Sequence, residues 1–263
     1  MNKLQQEKDL FHYIADVVRD LVSNPDKSMA IAQHKREGDF STQVDIDVEN
    51  LIVEEIKKRF PKDQILAEEN NTNTAIPEGR IWIIDPICGT SNLARGINNY
   101  CTNIALAEKG KIIASCVIDH SQKDYFWSVG GNRIYVNEKV FQPNEKRFDT
   151  TLEVDFGSIA SLKKEQKKKH NNFLKKLVLD NNFNIISLNS SLSFTYTAVG
   201  KVDGFLNSYN HPWDISAASF LIQQSGGVIT DLSGNEWTVK SVGAIAGKNK
   251  EIHQELLNLY LES

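Results

Sequence analysis

Ile81-Trp82-Ile83-Ile84-Asp85-Pro86-Ile87-Cys88-Gly89-Thr90-Ser91-Asn92 is the stretch on which the reading of this chain turns. Its four leading apolar residues read as a buried strand, and the strand runs without a break into an acid. An acidic group at the exit of a buried strand is costly unless something cationic compensates it. Pro86 fixes a turn behind that acid, and Gly89 lets the backbone approach a ligand closely. Thr90 and Ser91 are placed to begin a helix, whose first amides can hold a phosphate without any cationic side chain.

Working outward, the pattern of apolar run then acid recurs. Gln64–Ala67 runs into Glu68 and Glu69, and His211-Pro212-Trp213-Asp214 opens an apolar helix. Taken singly, each acid is equally a helix cap or a turn former. Hard divalent cations such as Mg²⁺ prefer carboxylate and carbonyl oxygens, so three converging exits make a metal site. A phosphate cradle beside such a cluster is the arrangement of metal-assisted phosphate ester hydrolysis.

The flanks supply the layers. Leu10, Phe11, Ile14, Val17, Val18, Leu21 and Val22 form a helical stripe, and a second helical pattern over residues 44–60 ends at Pro61. Short apolar runs at 102–107, 112–118, 124–129 and 133–136 read as strands joined by tight turns. Beyond them the pattern predicts helices over 159–179, 191–199, 213–224 and 251–261, with strands at 184–188, 204–207, 228–230 and 242–246. Helices alternating with strands, and hairpins in the middle, predict a layered α/β or α+β sandwich.

Composition excludes some alternatives. The 263 residues are 40% hydrophobic and 24% charged with a net charge of −4, so no bulk positive field favours nucleic acid or anionic lipid. Lysines 163, 164, 167, 168 and 169 lack interleaved aromatics and read as a solvated helix face. Charges interrupt the first 22 residues, which leaves neither a signal core nor a membrane span. The odd set Cys88, Cys101 and Cys116 points to reduced thiols and a cytoplasmic setting, with Cys101 and Cys116 as buried strand residues.

At the residues quoted, the chain resembles the inositol monophosphatases and their lithium-sensitive relatives. Glu68 with Glu69, the loop from Asp85 to Thr90, and Trp213-Asp214-Ile215-Ser216-Ala217-Ala218 are similar to three signatures of that family. Asp39-Phe40-Ser41-Thr42-Gln43-Val44-Asp45 is similar to its early Asp…Thr…Asp element. The resemblance implies an α+β fold, a layered α-β-α-β-α sandwich of the inositol monophosphatase and fructose-1,6-bisphosphatase type. It further implies one domain over 1–263, with lobes of about 1–150 and 151–263, and a homodimer. Carried over, Glu68, Asp85 and the Ile87 carbonyl hold one Mg²⁺, and Asp85 and Asp214, with residue 88, hold a second. Thr90, assisted by Asp45, orients and deprotonates a water near Glu68, while the Gly89 and Thr90 amides bind the phosphate. Ser190, Asn207 and Asp214 face the rest of the substrate.

Two departures matter. The family has Asp where this chain has Cys88, a soft sulfur in place of a hard oxygen anion, which weakens the second site for Mg²⁺ and favours Mn²⁺ or another softer ion. Asn207 stands where inositol-specific members carry an acid, and Asn189-Ser190-Ser191 lacks the usual glycine, so sugar phosphates and nucleotide 3′-phosphates compete with inositol monophosphate as substrates. A weakened member that binds a phosphorylated metabolite or a regulatory partner is the alternative. Asp45-Ile46-Asp47-Val48 also fits the haloacid-dehalogenase nucleophile pattern, but a helical period runs through it. The stretch from Gly243 to Lys248 is a strand and turn rather than a nucleotide loop.

Overall fold

Side-chain alternation along single strands sorts this chain into layers. The computed structural model describes residues 4–23, 31–36, 39–70, 72, 79–143, 149–180 and 183–263. In chain order its elements are α1 (Gln5–Val22), β1 (Ile31–Arg36), β2 (Asp39–Thr42), α2 (Gln43–Arg59), β3 (Gln64–Ala67), β4 (Arg80–Cys88) and α3 (Thr90–Ala94). There follow β5 (Cys101–Glu108), β6 (Lys111–Asp119), β7 (Asp124–Ser128), β8 (Tyr135–Val136), β9 (Lys139–Val140) and β10 (Thr151–Val154). The rest comprises α4 (Lys164–Asp180), β11 (Asn184–Ile186), α5 (Leu192–Ala198), β12 (Gly204–Asn207), α6 (Pro212–Gln224), β13 (Val228–Thr230), β14 (Ala244–Gly247) and α7 (Lys250–Leu261).

Strands β3 to β9 form a seven-stranded sheet in sequence order, and a five-stranded sheet runs β11-β10-β12-β14-β13. On β4, Trp82 and Ile84 pack with Leu10, Phe11 and Ile14 of α1 and Val48 and Ile52 of α2. Ile81 and Ile83 point the other way, into a core shared with Phe194 of α5, Leu221 of α6 and Phe205 of β12. On β12 the neighbour of Phe205, Leu206, faces outward toward Phe173 of α4 and Leu256 of α7. Helices, sheet, helices, sheet, helices: this is the five-layer α-β-α-β-α sandwich, and a period-two strand buried on both faces produces it. Ala217 and Ala218 of α6, with Ala105, Ala107, Ala244 and Ala246 of the facing strands, fill the middle core with small side chains.

Strand direction positions the site. β3 and β4 are parallel, with Ala67 beside Ile84, so Glu68, just past the end of β3, lies next to Asp85 of β4.

Three features differ from the sequence reading. The helix expected over 159–179 is split into a 3₁₀ turn at Gly157–Ser161 and α4. Leu162 is extended and buried between them, and the Gln166 side chain caps the Lys163 amide. Strand β10 was not expected, because Glu153 interrupts its apolar run. The β1–β2 hairpin was also not expected. Of the lysines read as a solvated helix face, Lys163 just before α4 and lysines 164, 167 and 168 on it are exposed, whereas Lys169 is half-buried over the Tyr260 ring. Among the described residues no helix is long and apolar enough to cross a membrane.

Candidate active site

Two of the predicted acids are placed by helix capping. Asp45 is the third residue of α2, and its Oδ2 accepts the Thr42 N–H at 2.8 Å and the Thr42 hydroxyl. Asp214 holds the same position in α6, where its Oδ2 accepts the His211 N–H at 2.6 Å behind Pro212. An acid there satisfies an orphan donor and sits in the positive end of the helix dipole. The cap reading of these two acids is met, and in Asp45 the other oxygen, Oδ1, accepts the Thr90 hydroxyl at 2.8 Å. Asp45 and Asp47 lie inside α2, not after a buried core strand, which removes the dehalogenase pattern. The side chain of Asp39 lies outside the described residues.

Asp85, Cys88 and Asp214 converge, with one ligand atom from each lying within 4.8 Å of the others. Asp85 is 1% exposed, and its Oδ1 accepts no hydrogen bond. Burial, then the neighbouring Cys88, Glu68 and Asp214, push its carboxyl well above the usual carboxylate range. Glu68 is not among the atoms of that cluster but neighbours Asp85, because its amide continues the parallel pairing to the Ile84 carbonyl at 3.2 Å. Two further acids thus crowd a buried Asp85 whose Oδ1 has no hydrogen-bond partner. The carboxylates and the Ile87 carbonyl suit a hard divalent cation. The sulfur of Cys88 does not: contact with the Cys101 thiol, then burial, push its pKa well up, and it accepts the Ser191 N–H at 3.2 Å.

Thr90 joins the two ends of the motif. Its Oγ1 lies 2.8 Å from Asp45 Oδ1 and 2.9 Å from the Ile87 carbonyl. Gly89, at φ +99°, caps α3; an added Cβ would lie 3.0 Å from the Asn99 carbonyl, so only glycine suits this turn. The first helical bond of α3 runs from Asn92 N to Gly89 O at 2.8 Å, which leaves the Thr90 and Ser91 amides ahead of the helical ladder.

The second half of the chain brings Ser190 in: its hydroxyl donates to the Cys88 carbonyl at 3.2 Å. Asn207 is engaged elsewhere. Its Nδ2 donates to Asp155 Oδ2 at 2.9 Å and its Oδ1 accepts the Tyr209 N–H at 3.0 Å.

Several positioning residues were not read from the sequence. Buried Glu49 on α2 accepts the Glu69 and Asn70 amides at 2.7 and 2.8 Å and so shapes the turn that carries Glu68. Thr102 donates to the Pro86 carbonyl at 2.7 Å, which leaves His120 Nε2, 2.9 Å away, as the donor to Thr102. Burial lowers His120 to about 4, so its ring is neutral. Asn103, paired with Asp85 across β4 and β5, donates to Ser191 Oγ at 2.8 Å. Their signal was a polar residue inside an otherwise apolar strand or helix face.

Glu153 is the most heavily perturbed of the missed acids outside the cluster. It is fully buried, accepts the Leu188 N–H at 3.0 Å, and burial pushes it up to about 7. A raised folded-state pKa contributes stability that is complete below about 4.5 and lost as pH rises through about 7. Glu153→Gln keeps the amide contact and removes the charge. Its thermal unfolding is expected to show a gain of up to about 3 kcal/mol over wild type at pH 8, vanishing at pH 4.5. Equal gains at both values would refute the assignment.

Comparison with known proteins agrees with the fold. The model of the inositol monophosphatase family matches residues 4–263. A fructose-1,6-bisphosphatase/inositol-1-monophosphatase of Thermotoga maritima is 30% identical over 224 residues, 85% of this chain and 83% of that protein. The Nus factor SuhB of Salmonella typhimurium is 26% identical over 230 residues, 87% of this chain and 85% of that one. Among solved structures, the extragenic suppressor protein suhB of Bartonella henselae superposes with a TM-score of 0.85 at 23% identity, covering 97% of this chain and 98% of that one. The Thermotoga maritima IMPase superposes with a TM-score of 0.79 at 25% identity, covering 100% and 98%.

Proposed function

Because the chain belongs to the inositol monophosphatase family, we propose that it hydrolyses phosphate monoesters of small metabolites with a divalent cation, Mg²⁺ or Mn²⁺. The observation that carries this reading is the convergence of Asp85, Cys88 and Asp214 within 4.8 Å beside the Asp45–Thr90 pair. Glu68, Asp85, Asp214 and the Ile87 carbonyl hold the cation. What it supplies when bound is Lewis-acid polarisation of the phosphoryl group and a more acidic water.

The chain's own groups do the rest. Asp45 accepts the Thr90 hydroxyl proton in preference to the neutral Ile87 carbonyl, because a carboxylate is the stronger acceptor. That turns a Thr90 lone pair outward to take a proton from an attacking water. Glu68 orients the same water. The Gly89 and Thr90 amides grip the phosphate, Ser190 lines the approach, and Asp214 borders the leaving group. Inositol monophosphate-like compounds, sugar phosphates and nucleotide 3′-phosphates are the substrate classes. Cys88 favours a second reading, a weakened member that binds a phosphorylated metabolite or a partner without turning it over.

Phosphate release from a panel of those three classes, with Mg²⁺ and with Mn²⁺, separates the two. The enzyme reading expects cation-dependent release. It also expects Cys88→Asp to reduce the Mg²⁺ needed for half-maximal rate by at least the roughly tenfold that an outer-shell partner commands. Absence of release with every substrate and both ions would favour the binding reading. An unchanged Mg²⁺ requirement in Cys88→Asp would remove residue 88 from the cation site.

A further inference from the structure

On a regular strand, Asp85 and Cys88 would face opposite ways. Side chains alternate along β4, with Ile81 and Ile83 turned to the core between the sheets and Trp82 and Ile84 to the core beneath α1 and α2. By count Asp85 continues the first set and Cys88 the second. Cys88 nevertheless packs against the first core, and Ile87 takes the other face. The ladder to β5 gives the reason. Asp85 pairs with Asn103 and Cys88 with Cys101, so Pro86 and Ile87 together oppose Thr102 alone. This two-against-one bulge resets the alternation and lets residues 85 and 88 both meet Asp214.

Side chains clamp the bulge. Thr102, fully buried, donates its hydroxyl hydrogen to the Pro86 carbonyl at 2.7 Å. A carbonyl only accepts, and threonine has one hydroxyl hydrogen to give. His120 Nε2, 2.9 Å from the same hydroxyl, is therefore the donor in that bond. The Tyr100 ring stacks on His120 with centroids 5.6 Å apart, which fixes the imidazole. At the far side of the bulge, the Ile87 carbonyl lies 2.9 Å from Thr90 Oγ1.

We infer that His120 is a positioning residue: by donating to Thr102 it directs the Thr102 hydroxyl onto Pro86, holds the bulge, and so aims Asp85 and the Ile87 carbonyl at the divalent cation. The inference rests on reading those two groups as cation ligands. The direction of the hydrogen bonds carries the effect, not the bulk of the ring. An ionised carboxylate at position 120 only accepts, so it would draw the Thr102 hydrogen away from Pro86. A carboxamide there would keep the donor.

The test measures cation affinity of the full chain without substrate, by calorimetric titration with MgCl₂ and with MnCl₂ at pH 8, where a glutamate is ionised. His120→Glu and Thr102→Val are expected to bind roughly 10- to 100-fold more weakly than wild type, the cost of losing a group that orients a cation ligand. His120→Gln and Thr102→Ser, which keep the donor and the hydroxyl, are expected to bind like wild type. The double variant of His120→Glu with Thr102→Val should bind no more weakly than Thr102→Val alone, because the relay acts as one unit. Thr102 is buried and Thr102→Val can misfold, so the contrast between His120→Glu and His120→Gln decides by itself. Wild-type affinity in His120→Glu overturns the inference, and so does an equal loss in His120→Gln, which would leave the ring as packing. Absence of cation binding in wild type would bring down the cation reading with it, whereas equal, tight binding in every variant would sink only the relay.

Discussion

Replacing Asp85 by asparagine is expected to abolish turnover and, in the same protein, to stabilise the cation-free fold. The carboxyl is 1% exposed, one oxygen has no hydrogen-bond partner, and burial with Cys88, Glu68 and Asp214 nearby raises its pKa well above the usual range. With the pKa raised in the folded state, stability is complete below the unfolded carboxylate pKa and is lost as pH rises through the folded one. Wild type without cation therefore carries the cost at pH 8, and the asparagine variant does not. Leaving a buried charged group unsatisfied costs about 2 kcal/mol or more, which for a chain of this size corresponds to a melting temperature roughly 4–8 °C higher in the variant. Added Mg²⁺ should raise the melting temperature of wild type, as any ligand of the native state does, and leave that of Asp85→Asn nearly unmoved. Turnover is expected to fall at least about a thousandfold, since the lost charge stabilisation amounts to several kcal/mol. Thermal melts at pH 8 with and without Mg²⁺, beside a phosphate-release assay, check all three. A variant less stable than wild type without cation would show that Asp85 is held by partners other than a metal.

The second large effect concerns Asp45 and Thr90, which lie 2.8 Å apart. Thr90→Ala removes the hydroxyl and keeps the backbone amides. The expected result is a kcat lower by roughly 10²–10³, within the range of general acid–base groups, with KM little changed. Asp45→Asn should lose a similar factor and, because Asp45 also holds the Thr42 amide, about 1 kcal/mol of stability. The double variant should lose no more activity than Thr90→Ala alone, since two residues that act as a unit are not additive. Losses that multiply would mean that the pair acts separately.

The layers were legible because strand and helix periodicity are local properties. Ile81 to Ile84, the stripe in α1 and the apolar α6 each announce their buried faces in their own residues. The acids at Glu68, Asp85 and Asp214 were legible for a related reason: a charge that ends an apolar run needs a partner wherever the chain goes. The reading failed where burial contradicts polarity. β10 was missed because Glu153 faces inward where an apolar residue was expected, and Glu49, Thr102 and Asn103 were passed over for the same reason.

By itself, then, the amino-acid order determined most of the strands and helices, the faces they bury and the points where acids end apolar runs. Tertiary structure alone decided that β3 and β4 run parallel so that two of those acids emerge together, that Asn207 is tied to Asp155, and that Cys88 meets Cys101 rather than Cys116. The physical reason is that periodicity is set by neighbours a few residues apart. Strand pairing and register, by contrast, are set by how distant apolar faces are jointly buried, and one step of register would carry either thiol to the other side of the sheet.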